Sequence, residues 1–189
     1  MIGPFLIRRT QAGPERREEM TTHETSLVIG SNLQDRFREV MAGVATPVSV
    51  VTALSDGRPH GTTVSAFASL SMRPPMVLVS LDRGSNLLTL VRRSGRFGLN
   101  VLGAHQTALA MAFAKKGADK FTDVVWGEED GVPRLSGALG WLSCDVADLV
   151  DGGDHVVVFG AVRAAQTTEG KPLTYHARVF GTHAAFEQV

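Results

Sequence analysis

Hydroxyl side chains are concentrated in the stretch Gly61–Ser71, GTTVSAFASLS, which contains no Lys, Arg, Asp or Glu. On an extended strand one side would carry Phe67 and four hydroxyls, and the other side would be apolar. Those hydroxyls belong to Thr63, Ser65, Ser69 and Ser71. Small uncharged side chains would let a planar ligand approach the backbone amides, so the pattern predicts the wall of a binding site. An ordinary solvated strand explains the same pattern.

Two further segments carry groups that could bind a ligand. In Ser80–Asn86, SLDRGSN, an apolar strand runs into a helix start, where free amides together with Ser85 and Asn86 suit a phosphate. In Gly152–His155, GGDH, a turn places an imidazole at the start of a strand. A plain N-cap and a surface histidine are the alternatives. Taken together, the three segments indicate a β-domain that binds a phosphorylated ligand.

Composition excludes several other functions for the 189-residue chain. Its net charge is zero and its pI is near 7.0, which argues against nucleic acid or an acidic membrane as a partner. The single cysteine, Cys144, excludes an internal disulfide and a zinc–thiolate cluster. The six histidines are scattered without ligand spacing, so no metal site is predicted. No apolar run approaches a membrane span, and the N-terminal MIGPFLIRRT does not have the pattern of a signal peptide, which predicts a cytoplasmic protein.

Local patterns predict the elements that position these groups. Ser31 to Gln34 fits a capping box, and the apolar stripe Leu33, Phe37, Val40 and Met41 follows it, so a helix is expected to begin at Ser31. Residues 1–30 lack periodicity and are predicted to be a flexible tail, with the folded domain at 31–189.

The rest of the chain has mainly strand character. Val48–Leu54 and Gly61–Ser71 flank an Asp-Gly turn, which predicts a hairpin. Met76–Leu81 is continuously apolar and is expected to be a strand buried on both faces. About seven strands and three short helices, without regular β-α alternation, favour a mainly β fold, a closed antiparallel barrel with peripheral helices.

Five segments in this order resemble the short-chain flavin reductases, which supply reduced flavin to two-component flavin-dependent monooxygenases. They are FREVMAGVATPVSVVTA, HGTTVSAFASLSMRPPMVLVSLDRGSN, SGRFGLNVL, AMAFAKKGADKF and GDHVVVFGAV, within residues 34–186. The resemblance implies a flavin-binding split β-barrel, antiparallel and Greek-key-like, and a homodimer. The sequence departs from the family pattern at Pro47, where glycine is usual. Its C-terminal run TYHARVF matches the family pattern only weakly.

The resemblance also implies roles for matching positions. The positions implied to contact FMN or FAD are His60, Gly61, Thr62, Thr63, Ser65, Ala66, Ser80, Leu81, Asp82, Ser85, Asn86 and Asn100. The positions implied to surround NADH or NADPH are Lys120, Phe121, Asp154, His155 and Tyr175.

The implied activity is an NAD(P)H:flavin oxidoreductase that passes reduced FMN or FAD to a partner monooxygenase. Hydride transfer between two cofactors needs no nucleophile and no acid–base pair from the protein. His155 is therefore expected to contact the nicotinamide rather than to donate a proton. The alternative is a split-barrel protein that binds flavin, deazaflavin or haem without reducing it.

Overall fold

The computed structural model describes residues 22–117 and 120–186, with side chains from residue 32 onwards. The chain divides into two compact units, one ending at Met41 and the other beginning at Ala42. Helix α1, Thr22–Ala42, forms the described part of the first unit. Ser31 therefore lies inside a helix, so the predicted N-cap there is wrong and the predicted tail overlaps α1. Residues 1–21 of that tail lie outside the described residues.

The unit that begins at Ala42 is built mainly from antiparallel strands, as the sequence predicts. Its two helices are α2, Asn86–Ser94, and α3, Thr107–Ala114. Its strands are β1 Thr46–Pro47, β2 Ser49–Ser55, β3 Arg58–Val64, β4 Phe67–Met72, β5 Pro75–Asp82, β6 Arg96–Val101, β7 Trp126–Glu129, β8 Val132–Leu135, β9 Gly140–Gly152, β10 His155–Thr167, β11 Leu173–His176 and β12 Val179–Thr182.

The main sheet has seven strands in the order β3-β2-β6-β9-β10-β5-β4. Its two edge strands, β3 and β4, are consecutive in the chain and only Ser65 and Ala66 separate them. A link of two residues spans at most roughly 11 Å between the flanking Cα atoms. The sheet must therefore curl until its edges come close together, which confirms the predicted barrel.

The predicted hairpin of β2 and β3 is confirmed. Ser55 pairs with Arg58 across the turn, and the two turn residues Asp56 and Gly57 have φ values of 52° and 72°. Positive φ at both central positions is the backbone of a type I′ turn, which matches the twist of the flanking strands.

The barrel interior is filled from alternate positions of the strands. Val77, Val79 and Leu81 of β5 point into the core cluster, while the residues between them are half-buried on the opposite face. The expectation that this strand is buried on both faces is therefore wrong. Continuous apolar sequence does not show whether the second face has a partner.

Helix α2 begins where the sequence predicts and ends at a glycine. The Ser85 hydroxyl accepts the Leu88 amide at 3.2 Å, and Gly95 has the left-handed conformation, φ 68°, with its N–H on the Val91 carbonyl. These bonds satisfy backbone groups that a helix leaves free at its ends.

Other features of the strands were not evident from the sequence. The stretch Gly61–Ser71, expected to be one strand, is interrupted at Ser65 and Ala66, where the chain passes from one sheet edge to the other. Residues 173–182 form the hairpin of β11 and β12, which turns at Ala177 and Arg178 with positive φ. The β7–β8 hairpin was not predicted, because its short strands are rich in charge, glycine and proline.

Within the described residues, no helix is long and apolar enough to cross a membrane.

Among the described glycines, Gly160 has the least room for an added side chain. A Cβ there would lie 2.8 Å from Phe97 Cε1 and 2.9 Å from Cys144 Cβ, and both residues are fully buried. Gly160→Ala should therefore lower the free energy of unfolding by about 1–3 kcal/mol through overpacking. Urea denaturation would measure it.

The matched control is Gly127→Ala, where a Cβ would meet nothing within 4 Å. It should change stability by less than about 0.5 kcal/mol. Equal losses in both variants would show that close packing at Gly160 is not the cause.

Candidate functional site

A cavity of about 540 Å³ lies beside β3, the start of α2 and the segment that follows α3. Eight of the predicted site residues line it, namely His60, Gly61, Thr62, Asp82, Ser85, Asn86, Lys120 and Phe121. They come from three separate stretches of sequence. The structure therefore brings together the strand, the helix start and the loop that the sequence singled out separately.

Gly61 allows β3 to lie directly against α3. A Cβ at this position would be 2.7 Å from Phe113 Cε1, and the Phe113 ring is fully buried. Only glycine fits such a close approach without displacing the ring. The Phe113 ring fills the space that a side chain at position 61 would need, and Gly61 itself is buried where β3 lines the cavity.

The two threonines of β3 use their hydroxyls differently from the sequence-based expectation. Thr63 Oγ1 donates to the Ala110 carbonyl at 2.6 Å, and Thr62 Oγ1 donates to the Phe113 carbonyl at 3.4 Å. The Phe113 carbonyl lies in the last turn of α3, where a helix has no internal donor for it, and the Ala110 carbonyl lies one turn earlier. The hydroxyl hydrogens thus hold α3 on β3, and Thr63 does not line the cavity.

Lys120 joins the same elements from the loop side. Its Nζ donates to the Phe113 carbonyl at 2.8 Å and to the Gly61 carbonyl at 3.3 Å. Partial burial lowers the pKa of its ammonium group below the ordinary lysine value. The bonds place a cationic side chain in the cavity wall, next to β3 at Gly61.

The start of α2 forms the other end of the cavity. Asp82 Oδ1 accepts the Gly84 amide at 2.7 Å, and the Ser85 amide donates to the Asp82 carbonyl at 3.0 Å. This turn directs the first amides of α2, with Ser85 and Asn86, toward the cavity, and such amides favour an anion.

Lys115 and Lys116 also line the cavity and were not among the predicted residues. They directly follow α3 in the run AKKGADKF, where adjacent lysines beside the predicted Lys120 were the available signal. Three lysines and one aspartate give this cavity an excess of positive charge.

Nine predicted residues are outside the cavity lining, and most lie in other parts of the barrel. They are Thr63, Ser65, Ala66, Ser80, Leu81, Asn100, Asp154, His155 and Tyr175. Leu81 is 2% exposed and belongs to the barrel core. Ser65 and Ala66 are exposed in the link between the sheet edges, where the Ala66 carbonyl accepts the Ser80 amide at 2.9 Å.

Asn100 is fully buried and serves the β7–β8 hairpin. Its Oδ1 accepts the Leu135 amide at 2.8 Å, and its Nδ2 donates to the Val50 carbonyl at 3.2 Å and to the Pro133 carbonyl at 3.4 Å. The side chain is thus occupied by backbone groups of two strands, β2 and β8. The resemblance implied that Asn100 contacts the flavin, but the structure does not place it in the cavity lining.

Asp154 and His155 lie next to the rim of the cavity. His155 pairs with Asp82 across β10 and β5, and the Arg83 amide donates to the Asp154 carbonyl at 2.9 Å. Asp154 Oδ1 lies 2.8 Å from His155 Nδ1, and this hydrogen bond lowers the pKa of the Asp154 carboxyl.

Tyr175 belongs to a separate three-stranded sheet of β1, β11 and β12. It pairs with Thr46, and its ring centroid lies 5.0 Å from that of Phe180. The structure therefore does not bring it to the cavity with the other predicted residues.

Comparison with known proteins gives the family. A family model described as "Flavin reductase like domain" matches residues 41–184. A relative from Rhodococcus opacus, the reductase component of 4-nitrophenol 4-monooxygenase/4-nitrocatechol 2-monooxygenase, is 43% identical over 145 residues, which cover 77% of this chain and 78% of its own. The "Flavin reductase" of Pseudomonas putida is 36% identical over 152 residues, with 79% and 89% covered.

Solved structures agree with this assignment. The homologue of nitrilotriacetate monooxygenase component B from Mycobacterium thermoresistibile has a TM-score of 0.79 and 32% identity, covering 82% of this chain and 89% of its own. The NADH:FAD oxidoreductase SgcE6 of Streptomyces globisporus C-1027, in complex with NAD and FAD fragments, has a TM-score of 0.77 and 30% identity, covering 82% and 95%. The chain belongs to the flavin reductase-like family, which confirms the resemblance read from the sequence.

Two variants test whether the amide of Asn100 is structural and the amide of Asn86 belongs to the cavity. Asn100→Ala should lower the free energy of unfolding by about 2–4 kcal/mol, because it leaves buried backbone groups without partners. Asn86→Ala, at an exposed position of α2, should change stability by less than about 0.5 kcal/mol. Chemical denaturation of both variants would measure this difference.

The two variants should have the opposite order of effects on flavin affinity. Asn86→Ala should weaken flavin binding, and Asn100→Ala, measured where it is fully folded, should bind flavin as the parent does. A stable Asn100→Ala variant that has lost flavin affinity would contradict the placement of Asn100.

Proposed function

We propose that the protein is an NAD(P)H:flavin oxidoreductase that reduces FMN or FAD and passes the reduced flavin to a separate monooxygenase. The observation that carries this proposal is the two-ended cavity. One end is lined by β3 at His60, Gly61 and Thr62, where we place the flavin ring, and the other has the start of α2 with Ser85 and Asn86. Membership of the flavin reductase-like family and the relatives named as monooxygenase reductase components support it.

The residues of the cavity fit a flavin nucleotide. A volume of about 540 Å³ lies within the range of ordinary cofactor sites. The α2 amides, Ser85 and Asn86 would hold the phosphate, and Lys115 and Lys116 would add positive charge there. The backbone at Gly61 and Thr62 would lie along the ring. FMN and FAD share the ring and the first phosphate, so these contacts serve either nucleotide.

When bound, the flavin supplies the chemistry by accepting a hydride from the reduced nicotinamide. The chain's own task is to bind the two rings and hold them together in a shielded geometry. Lys120, fixed by the carbonyls of Gly61 and Phe113, would keep a positive charge beside the ring. No acid or base from the protein is needed for this transfer.

We assign His155 to the nicotinamide side. Its strand position opposite Asp82 places it beside the cavity rim, and Asp154 orients its ring through Nδ1. NADH is the donor that we propose, on the support of two relatives, the "Flavin reductase (NADH)" of Kitasatospora aureofaciens and SgcE6. A cytoplasmic location stays a prediction from the sequence.

The test is a steady-state assay that crosses NADH and NADPH with FMN, FAD and riboflavin. Nicotinamide oxidation should require added flavin and should be faster with NADH. Riboflavin should bind at least about tenfold more weakly than FMN, because charge-assisted hydrogen bonds to the phosphate are lost.

Two outcomes would contradict the proposal. A flavin that copurifies tightly and is reduced by neither nicotinamide would favour the alternative, a flavin-binding protein without reductase activity. Equal affinity for riboflavin and FMN would show that the α2 start does not hold the phosphate. Ser85→Ala, compared with Ser94→Ala at the far end of α2, provides the matched pair of variants for that comparison.

The homodimer is a further part of the proposal, and the outer face of β5 and β10 supports it. Leu78 pairs with Phe159, and Met76 pairs with Ala161, on the face opposite the barrel core. These side chains are half-buried and uncharged, whereas an outer barrel face alternates to polar residues when it meets water. A second copy of the chain is the partner that we propose for this apolar face.

Sedimentation of the purified protein would test the dimer. The parent should sediment at twice the 20.2 kDa of one chain, and Leu78→Glu should sediment as a folded monomer. Val179→Glu, at a 65% exposed apolar position of β12, is the control and should remain dimeric. A monomeric parent, or a dimer broken only by Val179→Glu, would contradict the proposed interface.

A further inference from the structure

Phe121 lines the cavity with an aromatic ring, and two other aromatic rings pack against it. Its ring meets Phe113 edge-on, with centroids 4.9 Å apart and planes at 88°. It also meets Trp126, with centroids 5.7 Å apart and planes at 77°. Edge-to-face pairs of this kind are favourable and fix the orientation of the central ring. The position of Phe121 in the cavity therefore depends on both neighbours.

The two neighbours are held by different parts of the fold. Phe113 is fully buried beneath Gly61, so α3 and β3 determine its position. Trp126 is half-buried at the start of β7, where it pairs with Leu135 of β8. The β7–β8 hairpin thus supplies Trp126, one of the two rings that pack against Phe121, although Trp126 does not line the cavity.

Buried polar groups attach the inner strand of this hairpin to the barrel. Thr52 Oγ1 donates to the Pro133 carbonyl at 2.7 Å, and Asn100 bonds the backbone of both Pro133 and Leu135. Thr52 and Asn100 are both fully buried. Because such bonds are costly to break in a low-dielectric interior, β8 has a defined position on the sheet.

The turn of the hairpin is attached separately. Asp130 accepts hydrogen bonds from Ser143 Oγ at 2.5 Å and from Arg163 Nε at 3.1 Å. Arg163 also bridges to Asp145, which pairs with Arg96. The hairpin is therefore anchored at both of its ends, and Trp126 is presented to Phe121 by a rigid element.

We propose that Trp126 is a positioning residue, which holds the Phe121 ring in the cavity wall and thereby sets the affinity for the nicotinamide ring. The inference rests on the proposed function, because it takes the second ring in the cavity to be a nicotinamide. Trp126 does not line the cavity, so its effect passes through Phe121. A second explanation is that Trp126 only covers the apolar cluster around Phe113.

A double-mutant cycle on the full chain separates these explanations. The variants are Trp126→Leu, Phe121→Leu and the double variant, with Trp126→Phe as the conservative change. The control is Val125→Ala, at a neighbouring side chain that is 74% exposed. For each variant, kcat, KM for NADH, Kd for FMN and the melting temperature are measured.

Trp126→Leu should raise KM for NADH about three- to tenfold, with kcat and the Kd for FMN changed less than about twofold. Phe121→Leu should raise KM at least as much, and the double variant should be no worse than Phe121→Leu, because the two residues act through one ring. Trp126→Phe should restore most of the parent KM. Val125→Ala should behave as the parent.

Three results would overturn the positioning role. Additive effects in the double variant would show that Trp126 does not act through Phe121. An unchanged KM in Trp126→Leu, or a loss in all constants that follows the melting temperature, would leave Trp126 a covering residue only. A parent protein that does not oxidise NADH with added flavin would instead refute the proposed function, so the two failures are distinguishable.

Discussion

The site depends on one constraint, which is that two residues connect the opposite edges of a seven-stranded sheet. Because Ser65 and Ala66 must bridge β3 and β4, the sheet curls and its edges approach each other. The curl brings the start of α2, at the end of β5, to the same cavity as β3. Strands that are five positions apart in the sheet order therefore contribute to one wall, without a long connection that would cost chain entropy.

A second requirement, satisfaction of buried backbone groups, positions the side chains around that cavity. Carbonyls of α3 take hydrogen bonds from Thr62, Thr63 and Lys120. Asn100 bonds the backbone of the β7–β8 hairpin in the same way. Thr63 and Asn100 look like ligand contacts in the sequence, but in the structure they serve the scaffold. Their contribution to the site is indirect, because they hold α3 and the β7–β8 hairpin in place around the cavity.

Local features were predictable where the determining atoms are close in sequence. The Ser85 cap of α2 and the Asp-Gly hairpin both formed as expected, because each rests on bonds within a few residues. The helix start at Ser31 failed, since a capping pattern also occurs inside a longer helix such as α1. The β7–β8 hairpin was missed because its stability comes from Asn100, Thr52 and Arg163, which are distant in the chain.

The sequence by itself determined the mainly β class, the family and eight cavity residues. Turn residues, the alternation of apolar and polar side chains and the family motifs each lie within a short stretch of sequence. Tertiary structure alone decided which hydroxyls and amides are free for a ligand. Thr63 and Asn100 resemble Ser85 and Asn86 in type, yet their partners are backbone groups more than 30 residues away. Hydrogen-bonding capacity is a property of the residue, whereas its availability depends on which partners the barrel brings within 3 Å.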